Sequence, residues 1–131
     1  MEGRRVAEIG RGLVILLGIG PTDSEENARA LARKIALLRI FEDDQGKMNR
    51  SLLDVQGGAI VVSQFTLFAD TRKGNRPAFT DAALPAIARP LCDRFVQWLR
   101  EQGVPTQAGE FGAHMIVEIS NDGPVTITLE M

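Results

Sequence analysis

Three hydrogen-bonding side chains close an otherwise apolar stretch: after Ile60-Val61-Val62 come Ser63-Gln64-Phe65-Thr66-Leu67. Polar side chains at the end of a buried strand need partners or must face a cavity. Strand alternation puts Gln64 and Thr66 on one face and Ser63 and Phe65 on the other. A satisfied strand end and a pocket floor are equally good readings of that pattern. A hydroxyl there becomes a nucleophile only beside a base, and the single histidine, His114, sits among apolar neighbours in a strand-like segment. A Ser-His-Asp triad is therefore not expected, and hydrolysis would have to draw on the substrate or on water. One cysteine, Cys92, and one histidine leave no disulfide framework and no thiolate-rich or multi-histidine metal site. No metal and no cofactor are expected.

The loop Arg72-Lys73-Gly74-Asn75-Arg76-Pro77-Ala78-Phe79 gathers three cations and ends on an aromatic ring. The plain reading is a solvated surface loop. The functional one is a local phosphate contact with Phe79 free to stack on a base, and Lys47 and Arg50 are candidates to join it. Asn121-Asp122-Gly123-Pro124 reads as a turn, with a Gly-Pro bond able to take the cis form and aim main-chain carbonyls into a pocket. Gly18-Ile19-Gly20 follows a strand and precedes a helix, but a dinucleotide site would want glycine where Asp23 stands. A carboxylate there repels a pyrophosphate and suits a helix cap. The glycine turn into a capped helix is the better reading.

The elements that must position these residues follow from periodicity. Arg4 to Ile9 reads as a short strand, closed by Gly10-Arg11-Gly12. Leu13 to Leu17 is continuously apolar, as in a strand covered on both faces. Thr22 with Glu25, or Asp23 with Glu26, predicts a capping box before a helix carrying Ala28, Leu31, Ile35 and Leu38 on one face. Glu25 stands four residues before Arg29, the spacing of a helical ion pair. Glu42 to Lys47 is a polar turn, and a strand is predicted from Ala59 to about Phe68. A second helix covers about Pro85 to Gln102, with Ile87, Leu91, Phe95 and Trp98 inward and Gly103 as its stop. Pro90 should kink it or mark its first turn. His114 to Ser120 and Val125 to Leu129 alternate like strands. Together these predict an α+β or mixed two-layer fold in a single domain, 1–131.

Composition narrows the function. The chain has 131 residues, 44% hydrophobic and 24% charged, which fits a folded domain and excludes wholesale disorder. Fifteen basic against seventeen acidic residues give a net charge of −2, too little positive charge to coat nucleic acid but compatible with one small RNA contact. The run from Leu13 to Gly20 is too short to span a bilayer, and no cleavage pattern follows it. A cytoplasmic enzyme or binding module, without membrane association, is expected.

Taken together, Ser63-Gln64-Phe65-Thr66-Leu67, Asp70-Thr71-Arg72-Lys73-Gly74 through Arg76-Pro77, Phe111-Gly112-Ala113 and Asn121-Asp122-Gly123-Pro124-Val125-Thr126 resemble the bacterial D-aminoacyl-tRNA deacylase family. Arg39-Ile40-Phe41-Glu42-Asp43 through Lys47-Met48-Asn49 and Ser51-Leu52 are similar too. The resemblance implies an α+β fold of mostly antiparallel sheets with two main helices. It implies a homodimeric, cytoplasmic editing hydrolase that cleaves the ester between a D-amino acid and the tRNA 3′ terminal adenosine, with mischarged glycine as a further substrate. Gly123-Pro124 would be cis and reach into the pocket of a second copy, whose opposing wall is the Ser63, Gln64, Phe65 and Thr66 strand. The terminal ribose 2′-hydroxyl would assist catalysis, and amides near Phe65 and Thr66 would hold the ester carbonyl oxygen. Phe79, Phe111 and Met115 fall on the adenosine side of that reading. Family members usually open with a further strand carrying an arginine that supports the Gly-Pro motif. Here Met1-Glu2-Gly3-Arg4 stands where the second strand would begin, so that strand and its arginine are not expected. Two rivals remain: an esterase with Thr66 as nucleophile, and a tRNA- or nucleic-acid-binding module that keeps the fold without the activity.

Overall fold

Parallel pairing of three short strands organises the computed structural model, which describes residues 4–131. The reading of Met1-Glu2-Gly3 lies outside the described residues. β1 (Gly12–Leu17) leads into α1 (Glu25–Leu37), and a small hairpin of β2 (Phe41–Glu42) and β3 (Met48–Arg50) follows. β4 (Gly58–Ser63) ends in a 3₁₀ turn (Phe65–Phe68), and a long loop leads to α2 (Pro85–Glu101) and β5 (Thr106–Ala108). The main sheet has the order β1-β4-β5 with both pairs parallel, each joined by a helical crossover. The α+β class holds. The expected antiparallel pairing is confined, among the described residues, to β2–β3 and one bridge between Asp70 and Ala78.

The parallel register puts Gly12 opposite Gly58, where a Cβ on Gly12 would stand 1.9 Å from the Gly58 carbonyl oxygen. Glycine there is a packing requirement, since only a bare backbone lets the strands close. Leu17, Ala59 and Val61 share one buried cluster with Ala32, Ile35 and Ala36 of α1 and Leu91, Phe95, Val96 and Leu99 of α2. Both helices therefore lie on the same face of the sheet. This corrects the expectation that β1 is covered on both faces: Leu16, pointing the other way, is 45% exposed.

α1 is capped by Ser24, whose hydroxyl accepts from the Asn27 amide at 3.2 Å. Neither predicted capping box forms, because Asp23 instead accepts from the Gly20 amide at 2.7 Å and pins the turn out of β1. Glu25 pairs with Arg94 of α2 at 3.3 Å. Ser24→Ala should lower stability by about 1 kcal/mol in urea unfolding, without changing the slope of the transition.

α2 follows its predicted face at Leu91, Phe95 and Trp98, to which Ala88, Cys92, Val96 and Leu99 add. Ile87 is exposed, and Pro90 lies inside the helix, which starts at Pro85. Gly103 ends it with φ +96°, the left-handed conformation that favours glycine. Burial, with Asp93 adding to it, pushes the Cys92 thiol up to about 11. Cys92 should therefore resist alkylation at pH 8 in the folded chain and react fully in denaturant, as mass spectrometry would read.

The region from Glu42 to Lys47 is more ordered than a plain turn. Asp43 accepts from the Gln45 and Lys47 amides at 2.9 and 3.0 Å and from the Asn49 side chain at 2.7 Å, closing the β2–β3 hairpin. Three expected strands do not form. Residues 4–9 run beside β5 without a ladder: the Gln107 side-chain amide accepts from the Glu8 N–H at 2.9 Å and donates to the Glu8 C=O at 2.7 Å. One side-chain amide replaces one link of a ladder and cannot propagate it. His114 to Ser120 and Val125 to Leu129 likewise have no ladder partner among the described residues, which leaves Ile116 80% exposed. Among the described residues, no helix is long and apolar enough to cross a membrane.

Candidate functional site

The predicted polar strand end is a corner. Ser63 is the last residue of β4, opposite Leu17, and the Gln64 amide still donates to the Leu17 carbonyl at 2.8 Å. Gln64 then turns away (φ −138°, ψ 82°) and the chain enters the 3₁₀ turn, so the expected alternation stops at Ser63. The β-branched run ends at Val62, and nothing beyond Leu17 of β1 remains to pair with. The Gln64 side-chain amide donates to the Thr66 hydroxyl, tying the two predicted polar residues together. Phe65 is 56% exposed. The Phe65 and Thr66 amides stand at the start of the turn, where a helical segment supplies no acceptor for its own N–H groups.

Sequence reasoning missed what holds this corner. The Phe68 ring, at the end of the same turn, lies over Gly18 and Gly20. A Cβ on Gly18 would come 2.9 Å from the ring, and one on Gly20 would come 3.4 Å from it. The glycines after β1 thus admit an aromatic anchor for the candidate site. Gly-Ile-Gly was visible as a signal, but its partner lies 48 residues downstream of Gly20.

Phe79 is brought to the site: its ring meets Phe65 edge-on, with centroids 5.0 Å apart and planes at 75°. It arrives through a closed loop. The Asp70 and Ala78 main chains exchange hydrogen bonds at 2.8 and 2.9 Å, and both Asp70 oxygens accept from Arg72 at 2.9 and 2.8 Å. The Arg72 side chain, then its backbone, holds the Asp70 carboxyl below its ordinary value of 3.8. A depressed carboxylate lends stability above its unfolded value and loses it as pH falls through the folded one, so the clasp is intact at neutral pH. Arg50 does not join this loop, since it pairs with Asp44 at 3.0 Å.

The other predicted site residues make contacts of their own. Phe111 is half-buried against the core, with the Arg89 guanidinium 5.2 Å from its ring centroid and donating to its carbonyl at 3.4 Å. Pro85, Ala86 and Gly112 complete a shallow groove there. Met115 is half-buried with its sulfur against Gly109. The Gly123-Pro124 bond is cis, and Gly123 has φ +131°. Asn121 braces that turn: its side chain accepts from the Val125 amide at 3.1 Å and donates to the Thr126 hydroxyl at 3.0 Å. Gly123 and Pro124 are both exposed. Within one chain, then, Gln64, Phe65, Thr66 and Phe79 come together, and the braced Gly-Pro turn is exposed.

A family model described as D-Tyr-tRNA(Tyr) deacylase matches residues 1–130. A D-aminoacyl-tRNA deacylase of Roseiflexus castenholzii is 58% identical over 130 residues, which make up 99% of this chain and 83% of that protein. One from Deinococcus radiodurans is 55% identical over 131 residues, all of this chain and 90% of the relative. Among solved structures, the c-Myc DNA Unwinding Element Binding Protein superposes with a TM-score of 0.92 at 42% identity, covering 98% of this chain and 88% of that one. A probable eukaryotic D-amino acid tRNA deacylase shares the fold, with a TM-score of 0.65 at 18% identity over 81% of this chain and 77% of its own.

Proposed function

The chain belongs to the D-Tyr-tRNA(Tyr) deacylase family, and on that premise we propose that it hydrolyses the ester of D-aminoacyl-tRNA as one catalytic domain. Water adds to the ester carbonyl carbon, the bond to the ribose 3′-oxygen breaks, and that oxygen leaves with a proton. The products are the free D-amino acid and tRNA. An aminoacyl ester is already activated, so positioning and oxyanion stabilisation carry much of the acceleration. The Phe65 and Thr66 amides bind the developing oxyanion, and the neighbouring ribose 2′-hydroxyl assists water in place of a protein base. Ser63 and Gln64 shape the wall, and Gln64 fixes the Thr66 hydroxyl. Phe79, Phe111 and Met115 receive the adenosine.

The observation that carries this reading is the Gly123-Pro124 turn, braced by Asn121 and exposed, so that it is free to enter another surface. Two copies pair so that the turn of one faces the Ser63–Thr66 corner of the other. The exposed Leu16, Ile116, Ile119 and Ile127 offer apolar surface that such a pairing could bury. A rigid carbonyl from the turn clashes with an L side chain and leaves room for hydrogen or a D side chain. Glycine is accepted for the same reason. The reaction belongs to the cytoplasm, where tRNA is charged.

Replacing the substrate's terminal adenosine by 2′-deoxyadenosine tests the mechanism. Turnover of D-tyrosyl-tRNA should fall by roughly a hundredfold or more, while Thr66→Ala accumulates no acyl-enzyme and keeps measurable activity. Full turnover of the deoxy substrate, or an acyl adduct on Thr66 of the native chain, would contradict it.

A further inference from the structure

Both ends of the loop after the 3₁₀ turn are fixed at the candidate site. It leaves two residues after Phe68, is closed by the paired Asp70 and Ala78 main chains, and returns to set Phe79 against Phe65 at 5.0 Å. Residues 71–78 are all exposed, and Gly74, at φ +120°, gives the tip a conformation that other residues resist. Its three cations are not equivalent. Arg72 is held by Asp70 in a two-oxygen grip, whereas Lys73 and Arg76 have no acidic partner among the described residues. Asp81 also acts on Arg72. A clasped loop thus presents two uncommitted cations within a few residues of an aromatic that touches the site.

We propose that this loop is a phosphate-gripping arm: Lys73 and Arg76 contact the backbone phosphates of the single-stranded RNA end that carries the ester, and the Asp70–Arg72 clasp sets their position. The proposal rests on the deacylase reading for its substrate. It accounts for how a chain of net charge −2 engages tRNA, because holding one single-stranded end needs few phosphate contacts. Each phosphate contact to a single strand contributes about 0.7 to the slope of log affinity against log salt.

The test uses the full chain and the K73Q/R76Q double variant with three probes: a short uncharged RNA ending in CCA, D-tyrosyl-tRNA, and D-tyrosyl-adenosine, which has no phosphate. The double variant should lower the salt slope for RNA binding by about 1.4 and the affinity at 0.1 M salt by roughly ten- to thirtyfold. KM for D-tyrosyl-tRNA should rise by a similar factor at constant kcat, while kcat/KM for D-tyrosyl-adenosine stays within about twofold. Unchanged RNA affinity and salt slope overturn the proposal, and so does an equal loss on both esters, which would mean that the loop shapes the pocket itself. A native chain that binds RNA with the expected slope difference but hydrolyses neither ester upholds the arm and defeats the deacylase reading.

Discussion

Gly123→Ala should raise the ratio of L- to D-tyrosyl-tRNA hydrolysis by roughly ten- to a hundredfold, equivalent to about 1–3 kcal/mol of lost exclusion. Gly123 sits at φ +131°, where an L side chain is strained, and its added Cβ would stand 2.9 Å from Val125 Cγ2. Val125 must then give way, which disturbs the turn that Asn121 holds through the Val125 amide and the Thr126 hydroxyl. A carbonyl that rejects by position loses its effect when moved by a fraction of an ångström, because steric repulsion is steep. Hydrolysis of the D ester should fall less than rejection of the L ester. Matched time courses on the two esters check this, and an unchanged chiral ratio would remove the turn from the selectivity mechanism.

Phe95→Ala should cost about 3–5 kcal/mol in chemical denaturation, a large share of the total for a domain of this size. Phe95 has no exposed surface and lies at the centre of the cluster joining both helices to the sheet. Its loss leaves a cavity that α1, α2 and β4 cannot all close, since close-packed interiors relax only in part. Phe95→Leu should recover more than half of the loss. The contrast separates lost volume from lost aromatic contact.

These two residues also mark what could be read from sequence. Phe95 was legible because a helical face repeats locally: Leu91, Phe95 and Trp98 state their own direction. Gly123-Pro124 was legible as a turn, whereas its bracing by Asn121 became clear only in three dimensions. The corner at Gln64 was not legible, because alternation continues on paper through Thr66 although the neighbouring strand ends at Leu17. Gly18 and Gly20 looked like punctuation, and only the fold places the Phe68 ring over them. The alternating segments near the C-terminus carry a strand pattern, yet a strand exists only where a neighbour supplies the other half of its hydrogen bonds. Local pattern reports what a segment can do, and the partner decides whether it does so.

The most direct test of the central claim is single-turnover hydrolysis of D- and L-tyrosyl-tRNA by the purified chain, with enzyme in excess. The D ester should be cleaved at least about a hundredfold faster than its spontaneous loss, and the L ester no faster than without enzyme. A D ester that decays at the uncatalysed rate, or equal cleavage of the two, would contradict the account.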